Sequence, residues 1–558
     1  MQTIDTSQWN ELAERYAALE AAPLSAATVP AWLQRWSDLE AQIYEEMGEA
    51  TSRAHENTAD ESAEGLFIHY VREIQPHAEQ ARAKLRDKLL AVTDYTPAES
   101  ERVFFARFAN SQALYRDENV ALEAEEQLLC NQHRKLTGGM TVEWEGQRMT
   151  LTVAEQFLRV PDRELRQRAW HLIHQSWLDE REALNQQFLD LLALRRQIAD
   201  NAGFPDARDY YWRARQRLDY DPALALDFHA AIEQEVVPLA TQLYEQRRNT
   251  INADRFRPWD EFAPINQEPL PVVGMEALEE GGARIFGAID PEIGAMFTQL
   301  RDGHLDLPVR ENKAPGGYCR ALPVSGRSYI FMNGVGRPED LRTLLHEGGH
   351  AYHNFRSFHL PLLWQRRSPM EFAEVASMGM EMLAQPYIDI RHGGLYDAEQ
   401  TRRAQLKQLR KIVTFLPYMA VVDAFQHWLY SDAPRDVGAD ALDAQWASLW
   451  DRFMVGIDYE GLEAVKATGW HRKRHIFLYP FYYLEYGMAQ LGALQLWQNA
   501  RRDERSALAA YQRALSLGGT QSLPALFETA GLRFAFDAAT VHSLMDDVED
   551  TMTAMGSA

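Results

Sequence analysis

Two histidines four residues apart, with a glutamate directly after the first, make His346-Glu347-Gly348-Gly349-His350 the segment of this chain with the clearest chemical consequence. On a helix, residues i and i+4 stand one turn apart, about 6 Å, so both imidazoles can reach one tetrahedral zinc ion. Glu347 projects about a quarter-turn to the side, where its carboxylate can take a proton from activated water without becoming a ligand. Residue types and spacing together point to metal-assisted hydrolysis with one zinc per chain, and cobalt or manganese could occupy the same set of donors.

The residues before the motif announce the helix that must carry it. In Arg337-Pro338-Glu339-Asp340 the proline suits a first turn and the acids favour the positive end of the helix dipole. From there Leu341, Leu344, Leu345, Tyr352 and Phe355 fall on one stripe and His346 and His350 on the opposite side, so the helix packs with one face and offers both histidines with the other. Gly348 and Gly349 each cost about 1 kcal/mol inside a helix, which implies close approach of another backbone. His353 lies on the histidine side, but position 356, where a metzincin would place a third histidine, is Arg356. His353 is therefore expected to be structural or to orient a ligand.

A third ligand is sought downstream. Ser368-Pro369-Met370-Glu371 reads as a capping box opening a second helix through Gln385, along which Glu371, Glu374 and Glu381 line up beside apolar residues. Carboxylates on so apolar a helix need a cation or several hydrogen bonds. Glu371 has a capping job, so Glu374 is expected to be the third ligand. Glu381, two turns further on and about 10 Å along the axis, is placed to orient a ligand histidine. Near the C-terminus, the segment from His475 to Gly487 gathers Tyr479, Tyr482, Tyr483 and Tyr486. Phenols there could donate hydrogen bonds to an oxyanion, or could be an aromatic core stripe with locally satisfied hydroxyls.

The elements that position these groups are mostly helical. Ala31 to Met47, Asp162 to Ile198, Pro222 to Arg248 and Ala404 to Leu429 repeat at the helical period, whereas Met140 to Val153 alternates like a hairpin and Ser328 to Asn333 has strand composition. The class is mainly α with a small β component. A proline-rich stretch from Ile251 to Val273 reads as a connector, giving an N-terminal helical region over 1–255 and a C-terminal region with the zinc site over 256–558. With 558 residues, at least two lobes are expected. A net charge of -24 disfavours nucleic acid as a partner, and Arg472-Lys473-Arg474 reads as a solvated helix face. Two cysteines, no signal-like start and no long apolar run suggest a cytoplasmic protein that neither enters nor crosses a membrane.

HEGGHAYH at 346–353, followed by EFAEVAS at 371–377, resembles the thimet oligopeptidase and oligoendopeptidase F family of zinc metallopeptidases. The resemblance implies a large, clam-like helical body with a deep central channel and a small β-sheet near the active site. It implies zinc on His346, His350 and Glu374, Glu347 as base, and short peptides as substrates. GGYCRALPVSGRSYIFMN at 316–333 resembles the family's sheet beside the active site, where a strand edge pairs with substrate, so Tyr329 and Phe331 are expected to line the substrate. By the same resemblance His475 and Tyr486, then Tyr479 and Tyr483, face the substrate carbonyl. The expected activity is that of an oligoendopeptidase. A dipeptidyl carboxypeptidase or carboxypeptidase on the same scaffold, or a non-catalytic zinc-stabilised peptide-binding protein, remains the alternative.

Overall fold

The structure, a computed structural model, describes residues 5–264 and 273–556. It is mainly helical with two small sheets. Strands β1 (Thr141–Trp144) and β2 (Gln147–Thr150) form the expected hairpin, turning at Glu145 and Gly146, which both take positive φ. That pair of left-handed residues matches the twist of a two-residue hairpin loop. In the second sheet, β3 (Leu305–Pro308), β4 (Tyr318–Leu322) and β5 (Arg327–Gly334) lie in the order β3-β5-β4. The helices that matter for the site are α1 (Val29–Glu56), α2 (Met275–Ile289), α3 (Pro338–Ser357) and α4 (Met370–Leu383).

Amphipathic spacing accounts for these helices. On α1, Trp32, Leu33, Trp36, Leu39 and Ile43 recur at three- to four-residue steps and are all buried. Burying a side chain of this size contributes about 1.5–3 kcal/mol, enough to outweigh the cost of ordering it. Among the described residues no helix is long and apolar enough to cross a membrane.

The chain forms two compact units, neither continuous in sequence. One comprises Met1–Ala113, Leu270–Gln405 and Ala489–Phe534, and the other Leu114–Pro269, Leu406–Met488 and Ala535–Ala558. The boundary expected at 255/256 thus falls inside a segment of the second unit. Of the proline-rich stretch behind that expectation, residues 265–272 lie outside the described residues. The part before them is anchored: Asp260 is fully buried and paired with Arg163 at 2.7 Å and Arg166 at 3.1 Å. The described part of the stretch is a folded turn, and one junction between the two units, at Pro269/Leu270, lies within the same stretch.

Within the first unit, β5 is parallel to β3 and antiparallel to β4, with Phe331 opposite both Asp306 and Tyr318. It is therefore the middle strand, and its main chain is engaged on both sides. The substrate-pairing edge expected at Ser328 to Asn333 is not available there. Phe331 is buried, stacked on Tyr318 at 4.9 Å, and Tyr329 donates its hydroxyl hydrogen to Glu56 at 2.6 Å. Both expected substrate contacts are thus committed to packing. The outer strands are β3 and β4, and the turn joining β4 to β5 is held by Glu45, whose carboxylate accepts from the amides of Val324 and Ser325.

Candidate functional site

Helix α3 begins where the sequence places it, because Asp340 folds back and accepts the amides of Val335, Gly336 and Arg337 at 2.7–2.9 Å. Leu341, Leu344, Leu345 and Tyr352 are buried. Its two glycines are explained by neighbours. A Cβ on Gly349 would lie 2.6 Å from the carbonyl oxygen of Ala376 and 2.7 Å from the Cα of Ser377, both on α4, and one on Gly348 would collide with the ring of Phe286 on α2. Two helices approach this closely only where one lacks side chains. The contact brings the carboxylates of α4 beside the histidines of α3.

Helix α4 starts one residue later than expected. The carbonyl of Pro369 accepts the amides of Phe372 and Ala373, while the Ser368 hydroxyl donates to Pro369, so the capping box is not formed by Ser368. The carboxylate stripe is nevertheless in place. Glu374 Oε2 lies 3.5 Å from His346 Nε2 and 3.7 Å from His350 Nε2. One donor atom from each of the three residues lies within 4.8 Å of the others, the spacing of ligands around a single ion. The opposite nitrogen of His346, Nδ1, is 2.7 Å from Glu381 Oε1, which fixes the ring and leaves Nε2 for the shared site. Arg342 approaches the other oxygen of Glu381 at 3.6 Å. Ser377, which sequence reasoning gave no role, donates to Glu374 Oε2 at 3.1 Å; its signal was its place one turn after the ligand.

Charge and burial act strongly here. Burial pushes Glu347 up to about 7, with Glu374 and Glu381 adding and His346 opposing. Burial also resists ionisation of Glu374, but hydrogen bonding and attraction from His346 and His350 outweigh it and bring it to about 2. Glu347 faces β4: a Cβ on Gly317 would lie 3.7 Å from its Oε1. His353 is buried edge-on to Phe372 at 6.1 Å, with Nε2 unpartnered, and is not one of the three grouped donors.

In the second unit, His475 stands among the four tyrosines, with ring centroids 5.1 Å from Tyr483, 5.9 Å from Tyr482 and 6.1 Å from both Tyr479 and Tyr486. A left-handed residue shapes this cluster. Phe481, fully buried, takes φ 60, an uncommon value for a bulky side chain. Its amide donates to Gln426 at 2.8 Å and its carbonyl accepts from Arg217 at 2.6 Å. Burial, then Lys473, Arg474 and Arg215, hold His475 at about 3, so it is neutral over the physiological range. Of the run Arg472-Lys473-Arg474, expected to be a solvated face, only Arg474 is exposed. Arg472 donates to the carbonyl of Val465, and Lys473 sits over the ring of Tyr483 at 3.6 Å.

Residues 156–546 match the model of peptidase family M3. An oligoendopeptidase F homolog of Borreliella burgdorferi is 22% identical over 298 residues, which is 51% of this chain and 48% of that protein. The chain thus spans about half the length of this curated relative. Among solved structures, PZ peptidase A with an inhibitor superposes with a TM-score of 0.89 at 23% identity, over 99% of this chain and 98% of the other. A protein provisionally assigned as oligoendopeptidase F gives 0.89 at 24% identity, over 99% and 97%. The likeness therefore reaches far beyond the stretch in which motifs are legible.

Proposed function

We propose, on the premise that this chain belongs to peptidase family M3, that it is a zinc-dependent oligoendopeptidase cutting short peptides, with His346, His350 and Glu374 as ligands and Glu347 as base. The carrying observation is the convergence of those three donors within 4.8 Å, on two helices kept in contact by Gly349. Two imidazole nitrogens and one carboxylate oxygen fit zinc, and three protein ligands are the number found in catalytic sites, whereas structural sites are usually closed by four. That number favours an enzyme over a zinc-stabilised binding protein.

A bound zinc ion supplies Lewis acidity, sharpening the electrophilicity of the scissile carbonyl and the acidity of water. Glu347, just beside the ligands on α3, takes the proton of the attacking water on a carboxylate oxygen and hands it to the leaving amine nitrogen. Glu381 keeps the proton of His346 on Nδ1. The oxyanion donors proposed from the resemblance are Tyr486 and His475, then Tyr479 and Tyr483, neutral groups suited to that role. The outer strand β4, not β5, pairs with the peptide main chain, which makes recognition depend on extended conformation more than on side chains. The relative's name, an oligoendopeptidase F homolog, supports short peptides as the substrate class.

The test combines metal analysis with a quenched-fluorescent peptide and product mapping. Glu347→Gln should keep one zinc per chain while hydrolysis falls by about 10³-fold or more. Loss of the metal in that variant would overturn the assignment of base and ligands. Products from within a short peptide support internal cutting, and release of terminal residues alone would replace it by a carboxypeptidase activity.

A further inference from the structure

Arg320, on β4 and in the same compact unit as the proposed metal centre, carries a charge that no acid answers. It is half-buried, yet among the described residues no carboxylate lies within ion-pairing distance of it. Its Nε donates to the hydroxyl of Ser52 on α1 at 3.2 Å, and its Cζ lies 5.2 Å from the ring centroid of Tyr318. Gly48 makes room for the stem, since a Cβ there would lie 2.8 Å from Cδ of Arg320. The acids on the same stretch of α1 are engaged elsewhere. Glu45 accepts the amides of Val324 and Ser325, Glu49 lies 3.4 Å from Arg53, and Glu56 accepts the hydroxyl of Tyr329. The uncompensated charge is felt by His55, which burial and then Arg320 hold below its ordinary range.

The pleat of β4 says where this charge acts. Successive side chains of a strand leave opposite faces. Cys319 faces α3, where the side-chain amide of Asn354 donates to its sulfur at 3.8 Å, so Tyr318 and Arg320 leave the other face, toward Ser52 of α1. Of the two outer strands, β4 is the one that continues directly from Gly317, beside Oε1 of Glu347. A peptide strand added to the outer edge of β4 places the residue opposite Arg320 on the α1 face, because directly opposed residues share a face. Arg320 follows Gly317 by three residues, which is about 10 Å along a strand. A half-buried guanidinium that gives one N–H to a neutral hydroxyl has lost hydration that an anion restores best.

We infer that Arg320 determines specificity in the proposed peptidase, taking the carboxylate of an aspartate or glutamate side chain about three residues from the bond that is cut. The inference rests on the reading of β4 as the strand that pairs with the peptide, and it gives the substrates a charge preference at one position. Gly48, Ser52 and Tyr318 hold the guanidinium in place, and its planar fork of terminal nitrogens matches the two oxygens of a carboxylate.

A quenched-fluorescent peptide with glutamine at the positions flanking the cut bond is compared with a set in which glutamate replaces one glutamine at a time, and kcat/KM is read for each. One position, about two to four residues from the cut bond, should favour glutamate about tenfold, by the strength of a partly desolvated ion pair, and the advantage should shrink as salt is raised. Arg320→Gln should bring the glutamate-to-glutamine ratio at that position to about one, and Arg320→Lys should keep part of it. A purely structural role would lower every peptide alike and leave the ratio intact. Equal rates at every position, a preference that survives Arg320→Gln, or a uniform loss in both variants overturns the subsite. Calorimetric binding of the same peptides to the zinc-loaded Glu347→Gln chain separates the two ideas. Binding with the expected preference, but no cleavage by the chain with Glu347 intact, sinks the peptidase reading alone. Cleavage indifferent to the glutamate sinks the subsite alone, and neither binding nor cleavage of any peptide sinks both.

Discussion

Around His346 and His350 the nearby charges are the carboxylates of Glu347, Glu374 and Glu381, whereas around His475 they are Lys473, Arg474 and Arg215. The histidines are alike and their surroundings have opposite sign. In the first cluster Glu381 lies 2.7 Å from one nitrogen of His346 and Glu374 3.5 Å from the other, so the ring is held along both ends. In the second, among the described residues, the named influences on His475 are burial and the three cations, and its nearest aromatic neighbour is Tyr483 at 5.1 Å. Surplus charge in a protein interior is stable only when a ligand of opposite sign completes it. The first cluster is therefore suited to a cation, whereas in the second a half-buried lysine rests on a tyrosine ring and Arg474 lies in solvent.

The comparison breaks most readily at Glu374. Glu374→Ala should abolish stoichiometric zinc binding and lower hydrolysis by about 10³-fold or more, while Glu371→Ala, one turn earlier, should keep its metal. A metal-free Glu371→Ala protein would transfer the ligand role. Glu381→Gln should weaken zinc binding by about 10- to 100-fold, read by competition with a chelator, because the ring of His346 loses its ionised partner. Unchanged affinity would mean that Glu381 does not orient the ligand. Gly349→Ala should cost about 1–3 kcal/mol in denaturant unfolding, since α4 must move to admit a methyl group against its backbone. A neutral result would refute the close approach as the reason for the glycine.

The smallest effect sharpens the second cluster. His475, surrounded by Lys473, Arg474, Arg215 and four tyrosines, is held at about 3 by burial and those cations, below its ordinary 6.5. The unfolded chain binds a proton more readily than the folded one, so the neutral ring supports folding fully above about 6.5 and loses that support as pH falls toward about 3. His475→Gln should therefore lose less stability than the wild type between about pH 7 and pH 4, measured by unfolding at each pH. Parallel losses in the two proteins would contradict it.

The grouping of His346, His350 and Glu374 was legible because its information is local. His346, Glu347 and His350 share one helix, Glu374 and Glu381 share the next, and a 3.6-residue period is enough to say which side chains can meet. The glycines carried the remaining clue, that one helix backbone lies against the other. The place of β5 between β3 and β4 was not legible, because strand composition does not reveal pairing with Leu305–Pro308, more than twenty residues upstream. Lys473 was misread for a related reason. A run of three cations resembles a surface, and only packing by Tyr418 and Tyr483, distant or later in sequence, makes one of them half-buried.

The discontinuity of the first unit has a consequence for how the chain comes off the ribosome. Helix α4 is buttressed by residues made long after it: Tyr511 donates its hydroxyl hydrogen to the carbonyl of Ala376 at 2.6 Å, and Leu496 fills the space over Gly379. The residues proposed as zinc ligands are therefore synthesised before the later residues that pack against α4, at a synthesis rate of about 5–20 residues per second. The proposed site is thus framed only once the chain through Tyr511 has emerged and folded back.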